Sequence, residues 1–270
     1  MNSIKTVLQE QINNLSLIFR LSSYETRKEY ADSQLGVIWV FLNPLFQIAV
    51  YWITFGTGIR GGAPVNGIPF LIWMLCGLIP WFFISNSIMQ GSSSIFNRIG
   101  TVSKMNFPLS IIPTYVVLSR FNTHVFMMGV LFIGVVVSQG FDQMNIIALI
   151  YFMIVGLLFN IALGLFTSTL STMIRDIHLF IQSFTRMLLY LTPILWEPSR
   201  GSGASKILFF IMKLNPFYYI VEGYRGALLY GHSDIIFSKY TVYFWAVLII
   251  IFTIGSIFHI KFRKQFVDFL

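Results

Sequence analysis

Arg120 and His124 stand four residues apart in an otherwise apolar stretch, so a helix there carries both on one face. A cation inside an apolar helix costs at least ~2.5–3.5 kcal/mol on insertion scales, so the pair must meet the bundle interior, a water-filled path or an anion. Two uses fit: contact with the phosphate groups of a substrate, or an internal pair to a carbonyl or to Asn and Ser side chains. Catalysis has less to work with. The acids Glu25, Glu29, Asp32, Asp176 and Glu222 are scattered, without the paired spacing that acid–base chemistry needs. His-Glu-x-x-His and Gly-x-Ser-x-Gly are missing from the sequence, and Gly201–Lys206 lacks the spacing of a phosphate-cradling Walker loop. No catalytic residue and no metal ligand is expected. The lone Cys76 lies in an apolar run and reads as a buried, inert thiol. With no ATP site and no buried acid pair, the energy source is expected on a partner protein.

The elements that position these residues follow from composition. Of 270 residues, 56 % are hydrophobic and 10 % charged, with a mean hydropathy of +0.75; soluble domains carry roughly 25 % charged residues. No acid occurs between Asp32 and Asp142. The reading is an all-α polytopic membrane protein. Apolar runs near the ~20 residues of a spanning helix fall at 36–59, 68–90, 109–137, 146–174, 179–196 and 240–260, predicting six transmembrane helices. The fifth is short and carries Arg186. Pro44 and Pro80 lie inside the first two and predict kinks.

Two flanking features complete the organisation. Residues 1–34 form an N-terminal arm, and 35–270 the transmembrane domain. In the arm Ile4, Leu8, Ile12, Leu15 and Phe19, with Val7 and Ile18 beside them, repeat at helical spacing opposite Lys5, Gln9, Glu10, Gln11, Asn13 and Asn14. This predicts an amphipathic interfacial helix, and no cleavable signal peptide is visible in it. Near 203–231, Ile207–Met212 and Phe217–Tyr230 are apolar, too short to span, and broken by Asn215-Pro216. Two short re-entrant helices before the last span fit best; two further short spans are the rival reading.

Six spans place both termini on one side. Lys5, Arg20, Arg27, Lys28, Arg98, Lys104, Arg175, Arg186, Lys261, Arg263 and Lys264 then share that side, against Arg60 and a basic group confined to 197–239. The positive-inside rule puts both termini in the cytoplasm. The net charge of +8 is thus accounted for by topology and by anionic membrane lipids, with no nucleic acid partner. On the inner side, the connector Ser92–Pro108, with Asn97, Arg98, Lys104, Met105, Asn106 and Phe107, suits either a short helix docking on a soluble partner or a segment lying on lipid. Arg175–His178 offers a second, shorter contact. Trp81, Phe82, Tyr190, Trp196 and Tyr224 belong to an aromatic set at the outer ends, serving as interface anchors or as stacking faces for a sugar polymer. With Arg120, His124 and Arg225 they make up the candidate substrate path.

Tyr30, Ser33, Leu35-Gly36, Trp39 and Asn43-Pro44-Leu45 resemble the start of the polysaccharide-exporting permeases of the type-2 ABC transporter class. Leu214–Phe217 through Glu222–Arg225 resembles their re-entrant region. Val102–Tyr115, Thr192–Trp196 and Gln265–Leu270 look closer still to wall teichoic acid exporter permeases of Gram-positive bacteria. The resemblance covers nearly the whole chain. It implies the type-2 ABC exporter (ABC type V) fold, and a plasma-membrane homodimer bound to two copies of a cytoplasmic ABC ATPase that holds ATP and Mg2+. This chain would hold no cofactor of its own. Asn97–Phe107 would be the coupling helix seated on that ATPase, and the arm, with Arg27 and Lys28, a second contact. The implied cargo is a polyol-phosphate chain on undecaprenyl diphosphate, with an O-antigen or capsule chain as the alternative. Two other classes are open to the residues alone. A membrane-embedded glycosyl or phosphoglycosyl transferase would need clustered carboxylates near a membrane face. A channel or secondary carrier would work without an ATPase and would be expected to carry an inverted repeat.

Overall fold

The computed structural model describes residues 2–31, 33–102, 107–197, 204–231 and 234–266. Lys104, Met105 and Asn106 of the expected coupling segment, the stretch 198–203 and the closing 267–270 lie outside the described residues. The described residues form helices, with one isolated bridge between Val65 and Ile68. In chain order these are α1 (Asn2–Asn13), α2 (Leu15–Ala31), α3 (Trp39–Tyr51), α4 (Phe70–Ser93), α5 (Ile99–Val102), α6 (Ile111–Gln139), α7 (Ile146–Met173), α8 (Asp176–Leu191), α9 (Ala204–Leu214), α10 (Pro216–Arg225) and α11 (Lys239–Phe262). Helix α3 runs on as a π-helix over Trp52–Ile59, and α10 as a π-helical turn over Gly226–Tyr230.

Local sequence fixes the ends. The Asn145 side chain caps α7 by accepting from the Ala148 N–H at 3.0 Å. Asn215 accepts from the Phe217 N–H at 3.0 Å, with Pro216 in the first turn, so Asn215-Pro216 breaks α9 from α10. Gly231 ends the π-helical turn at φ +63°, against the Gln143 carbonyl, where a Cβ would lie 3.2 Å from that oxygen.

Among the described residues five helices are long and apolar enough to cross a membrane: Trp39–Ile59, α4, α6, α7 and α11. The expected fifth of six, 179–196, instead runs over Asp176–Leu191, only 16 residues. The residue before a proline is pushed out of the helical region, and Thr192, before Pro193, is extended at φ −82°, ψ 131°. Trp196 therefore lies beyond the helix, and its Nε1 donates to the Tyr190 carbonyl at 3.0 Å.

Helix α4 is the centre of the bundle. Of its most apolar stretch 67 % is buried, against 17 % for Trp39–Ile59 and for α11, which form the flanks. Close approaches need glycine. A Cβ on Gly223 of α10 would meet the Phe152 ring of α7 at 2.2 Å, and one on Gly77 of α4 would meet Arg225 Nη2 at 2.7 Å. Small residues let membrane helices approach in this way.

The arm is two helices that meet at Asn14, and its expected stripe divides. Val7 and Ile18 are buried, Ile18 with Ile95, Ile111, Ile112, Val116 and Phe266, whereas Leu8, Ile12, Leu15 and Phe19 face outward. Its acids pair with three different parts of the bundle. Glu10 meets Arg263 just past α11 at 2.9 Å, Glu25 meets Arg98 in the turn after α4, and Glu29 meets Arg120 of α6 at 2.5 Å. Glu10 also accepts from the Ser110 hydroxyl at the start of α6. The arm and the end of α11 thus share one end of the molecule.

Candidate functional site

Helix α3 leans on the bundle with little of itself buried and leaves two adjoining cavities beneath it, which share Gln47 and Phe82. The first, about 450 Å³, lies between α3, α4 and α6. Its polar lining comes from Asn43 and Gln47 of α3, Asn86 of α4, Arg120, Thr123 and His124 of α6, and Glu29 of the arm; Trp39, Phe46, Phe82 and Phe83 supply aromatic faces. The second, about 240 Å³, lies between α3, α4 and α8, lined by Gln47, Tyr51, Trp81, Phe82, Ser85, Gln182, Thr185 and Arg186 among others. Amides, hydroxyls and cations next to flat aromatic rings suit a ligand with many hydroxyl or phosphate oxygens.

The polar lining has a simple origin in the sequence. Asn43 and Gln47 are four residues apart, as are Gln182 and Arg186, so each pair shares a face. On α4, Ile79, Phe82, Phe83 and Asn86 follow the three-and-four rhythm of a single face.

Arg120 and His124 do line the larger cavity, side by side as their spacing predicts. Arg120 shows the internal pairing to a Ser side chain, together with a carboxylate that was not foreseen. Arg120 is buried and its charge is met by Glu29, with Nε donating to the Ser119 hydroxyl at 3.3 Å. Arg120 lies within α6, after the buried turns Ile111–Leu118, and faces the arm. His124 is buried deeper. Its Nε2 shares a 2.9 Å hydrogen bond with the Tyr224 hydroxyl of α10, and its ring stacks on Phe83 at 4.8 Å.

Of the other path candidates, Phe82 lines both cavities and Trp81 the smaller. Tyr190 is exposed on α8 beside half-buried Trp196. Tyr224 lies behind His124 and lines neither cavity. Arg225 also lines neither: it is 1 % exposed and turned to the opposite side of α4. Its Nη1 and Nη2 donate to the Pro193 and Ile194 carbonyls, each at 2.6 Å, and its guanidinium carbon sits 3.6 Å from the centroid of the Trp73 ring. Arg225 therefore clasps the segment after α8 to α4 and α10.

The coupling candidates gather at the end of the molecule that holds the arm. Asn97, Arg27 and Lys28 are exposed there, and Phe107 is half-buried. Arg98 is committed to Glu25 and to the Ser94 carbonyl at 3.2 Å. Sequence reasoning missed Glu29 as the partner of Arg120, because ninety-one residues separate them. It also passed over Asn43, Gln47 and Asn86, although two amides one turn apart in an apolar span were a usable signal.

The ABC-2 type transporter family pattern matches residues 16–229. Two relatives are similar along most of their length. The O-antigen export system permease protein RfbA of Myxococcus xanthus is 25 % identical over 228 residues, covering 84 % of this chain and 85 % of the relative. The protein of the same name from Klebsiella pneumoniae is 22 % identical over 259 residues, covering 93 % and 95 %.

Proposed function

Because this chain belongs to the ABC-2 type transporter family, we propose that it is the transmembrane subunit of an ATP-driven exporter for a lipid-linked envelope polymer, with wall teichoic acid on undecaprenyl diphosphate as the cargo. A single observation carries the reading: the slot beneath α3, lined by amides, cations and aromatic rings within an apolar bundle. A polyol-phosphate chain entering a membrane loses its hydration, and such groups replace it.

In this reading the chain hydrolyses nothing itself. It works as a homodimer in the plasma membrane of a bacterium, with two copies of a cytoplasmic ATPase that bind ATP and Mg2+. The arm and the connector around Asn97–Phe107 face that ATPase, so both termini are cytoplasmic. Helix α8 is the sixth crossing, made short because the bilayer's outer part is filled by α9 and α10, which enter and return. The flanking position of α3 suits an element that shifts when the ATPases close.

A second cargo is favoured by the relatives, whose names specify O-antigen export. The test is a pull-down of the tagged chain from native membranes, followed by reconstitution. A co-purifying Walker-type ATPase at one-to-one ratio, whose hydrolysis rises with lipid-linked teichoic acid and not with O-antigen lipid, supports the first reading. The reverse stimulation selects the second. A well-folded chain with no ATPase attached rejects both and favours a carrier or membrane enzyme.

A further inference from the structure

The two cavity arginines differ in their surroundings. Arg120 faces Glu29 across 2.5 Å, so its charge is already compensated. Arg186 lines the smaller cavity, and no acidic residue is among that cavity's lining. Among the described residues Arg186 forms no hydrogen bond, ion pair or ring contact. It stands ten residues into α8, about 15 Å along the axis, between outward-facing Phe184 and Met187. An accessible guanidinium with no internal counter-charge is open to an anion, and its planar fork matches phosphate oxygens.

The neighbouring groups complete a site. Gln47 and Gln182 present amides to the same cavity and form no hydrogen bond among the described residues, and Trp81 and Phe82 offer apolar faces beside them. We propose that Arg186, with Gln47 and Gln182, is a binding subsite for the phosphate oxygens of an amphiphile held inside the bundle, either a polyprenyl diphosphate carrier or the phosphate of a membrane lipid. The identification of the carrier rests on the export reading; the anion subsite does not.

The test uses the chain purified from native membranes with whatever stays bound, in nanodiscs of phosphatidylcholine, and measures binding of radiolabelled undecaprenyl diphosphate. The wild type and Arg186→Lys bind it. Arg186→Gln weakens binding on the order of tenfold to a hundredfold, the usual effect of losing a charge-assisted hydrogen bond. Gln182→Leu weakens it less, and undecaprenol, which lacks the phosphates, does not compete. Phosphatidylglycerol competing at equal concentration assigns the subsite to lipid headgroups; failure to compete assigns it to the carrier. Equal affinity in wild type and Arg186→Gln overturns the proposal. Loss of binding in Arg186→Gln in a chain that brings down no ATPase keeps the subsite and removes the exporter. Intact polymer-stimulated hydrolysis, with affinity untouched by the substitution, does the opposite.

Discussion

Arg225 and Arg186 both belong to the helical bundle, and they illustrate opposite uses of the same side chain. Arg225 is wholly enclosed, gives two protons to backbone carbonyls and lies against an indole ring. Arg186 stands open to a cavity with no internal partner among the described residues. Burial of a charge therefore does not mark the functional site here. A buried cation whose two terminal nitrogens are held by carbonyls ties elements together, whereas an accessible, unpaired one is free to take a ligand.

That contrast can be broken or sharpened by substitution. The largest effect is expected from Arg225→Ala, which orphans the Pro193 and Ile194 carbonyls and empties the space beside Trp73; a loss of about 4 kcal/mol should appear as collapse of the monodisperse peak in detergent. Arg225→Lys should not restore it, because a point charge does not reproduce the two-carbonyl fork. Next comes Gly223→Ala, whose Cβ would fall 2.2 Å from the Phe152 ring. It should cost about 2–3 kcal/mol by overpacking, read as a lowered thermal midpoint. Glu29→Gln leaves Arg120 without its counter-charge and should cost about 2 kcal/mol, with the arm becoming the first site of proteolysis. Tyr224→Phe removes only the hydroxyl on His124, a change of about 1 kcal/mol. Smallest is Arg186→Gln, expected to leave the midpoint within about 0.5 kcal/mol of wild type. A midpoint drop for Arg186→Gln comparable to that of Arg225→Ala would erase the distinction.

The long helices were legible because hydropathy is a local property: the expected 68–90, 109–137, 146–174 and 240–260 correspond to α4, α6, α7 and α11 with ends shifted by a few residues. The break at Asn215-Pro216 was legible for the same reason, since capping and proline act on neighbours. The end of α8 was misread because the apolar character continues through Pro193–Trp196 while the backbone does not. What the sequence concealed was long-range. Arg225 finds its carbonyls 31 and 32 residues upstream, and Arg120 finds Glu29 ninety-one residues upstream. No periodicity connects such residues. Arg120 and His124 could be assigned to one face, but their partners depend on how the arm and α10 pack against α6.

The arm is fastened at three places: Glu10 to Arg263, Glu25 to Arg98, and Glu29 to Arg120. Its anchors belong to three separate parts of the bundle, so it has no free pivot: swinging it means parting at least one fastening. A load applied to α1 or α2 is shared by α6, α11 and the turn after α4 at the same instant, in the manner of a bracket and unlike a tether. All three fastenings are electrostatic and partly open to solvent, so rising salt, which shortens the reach of charge to about 8 Å near physiological strength, slackens them together.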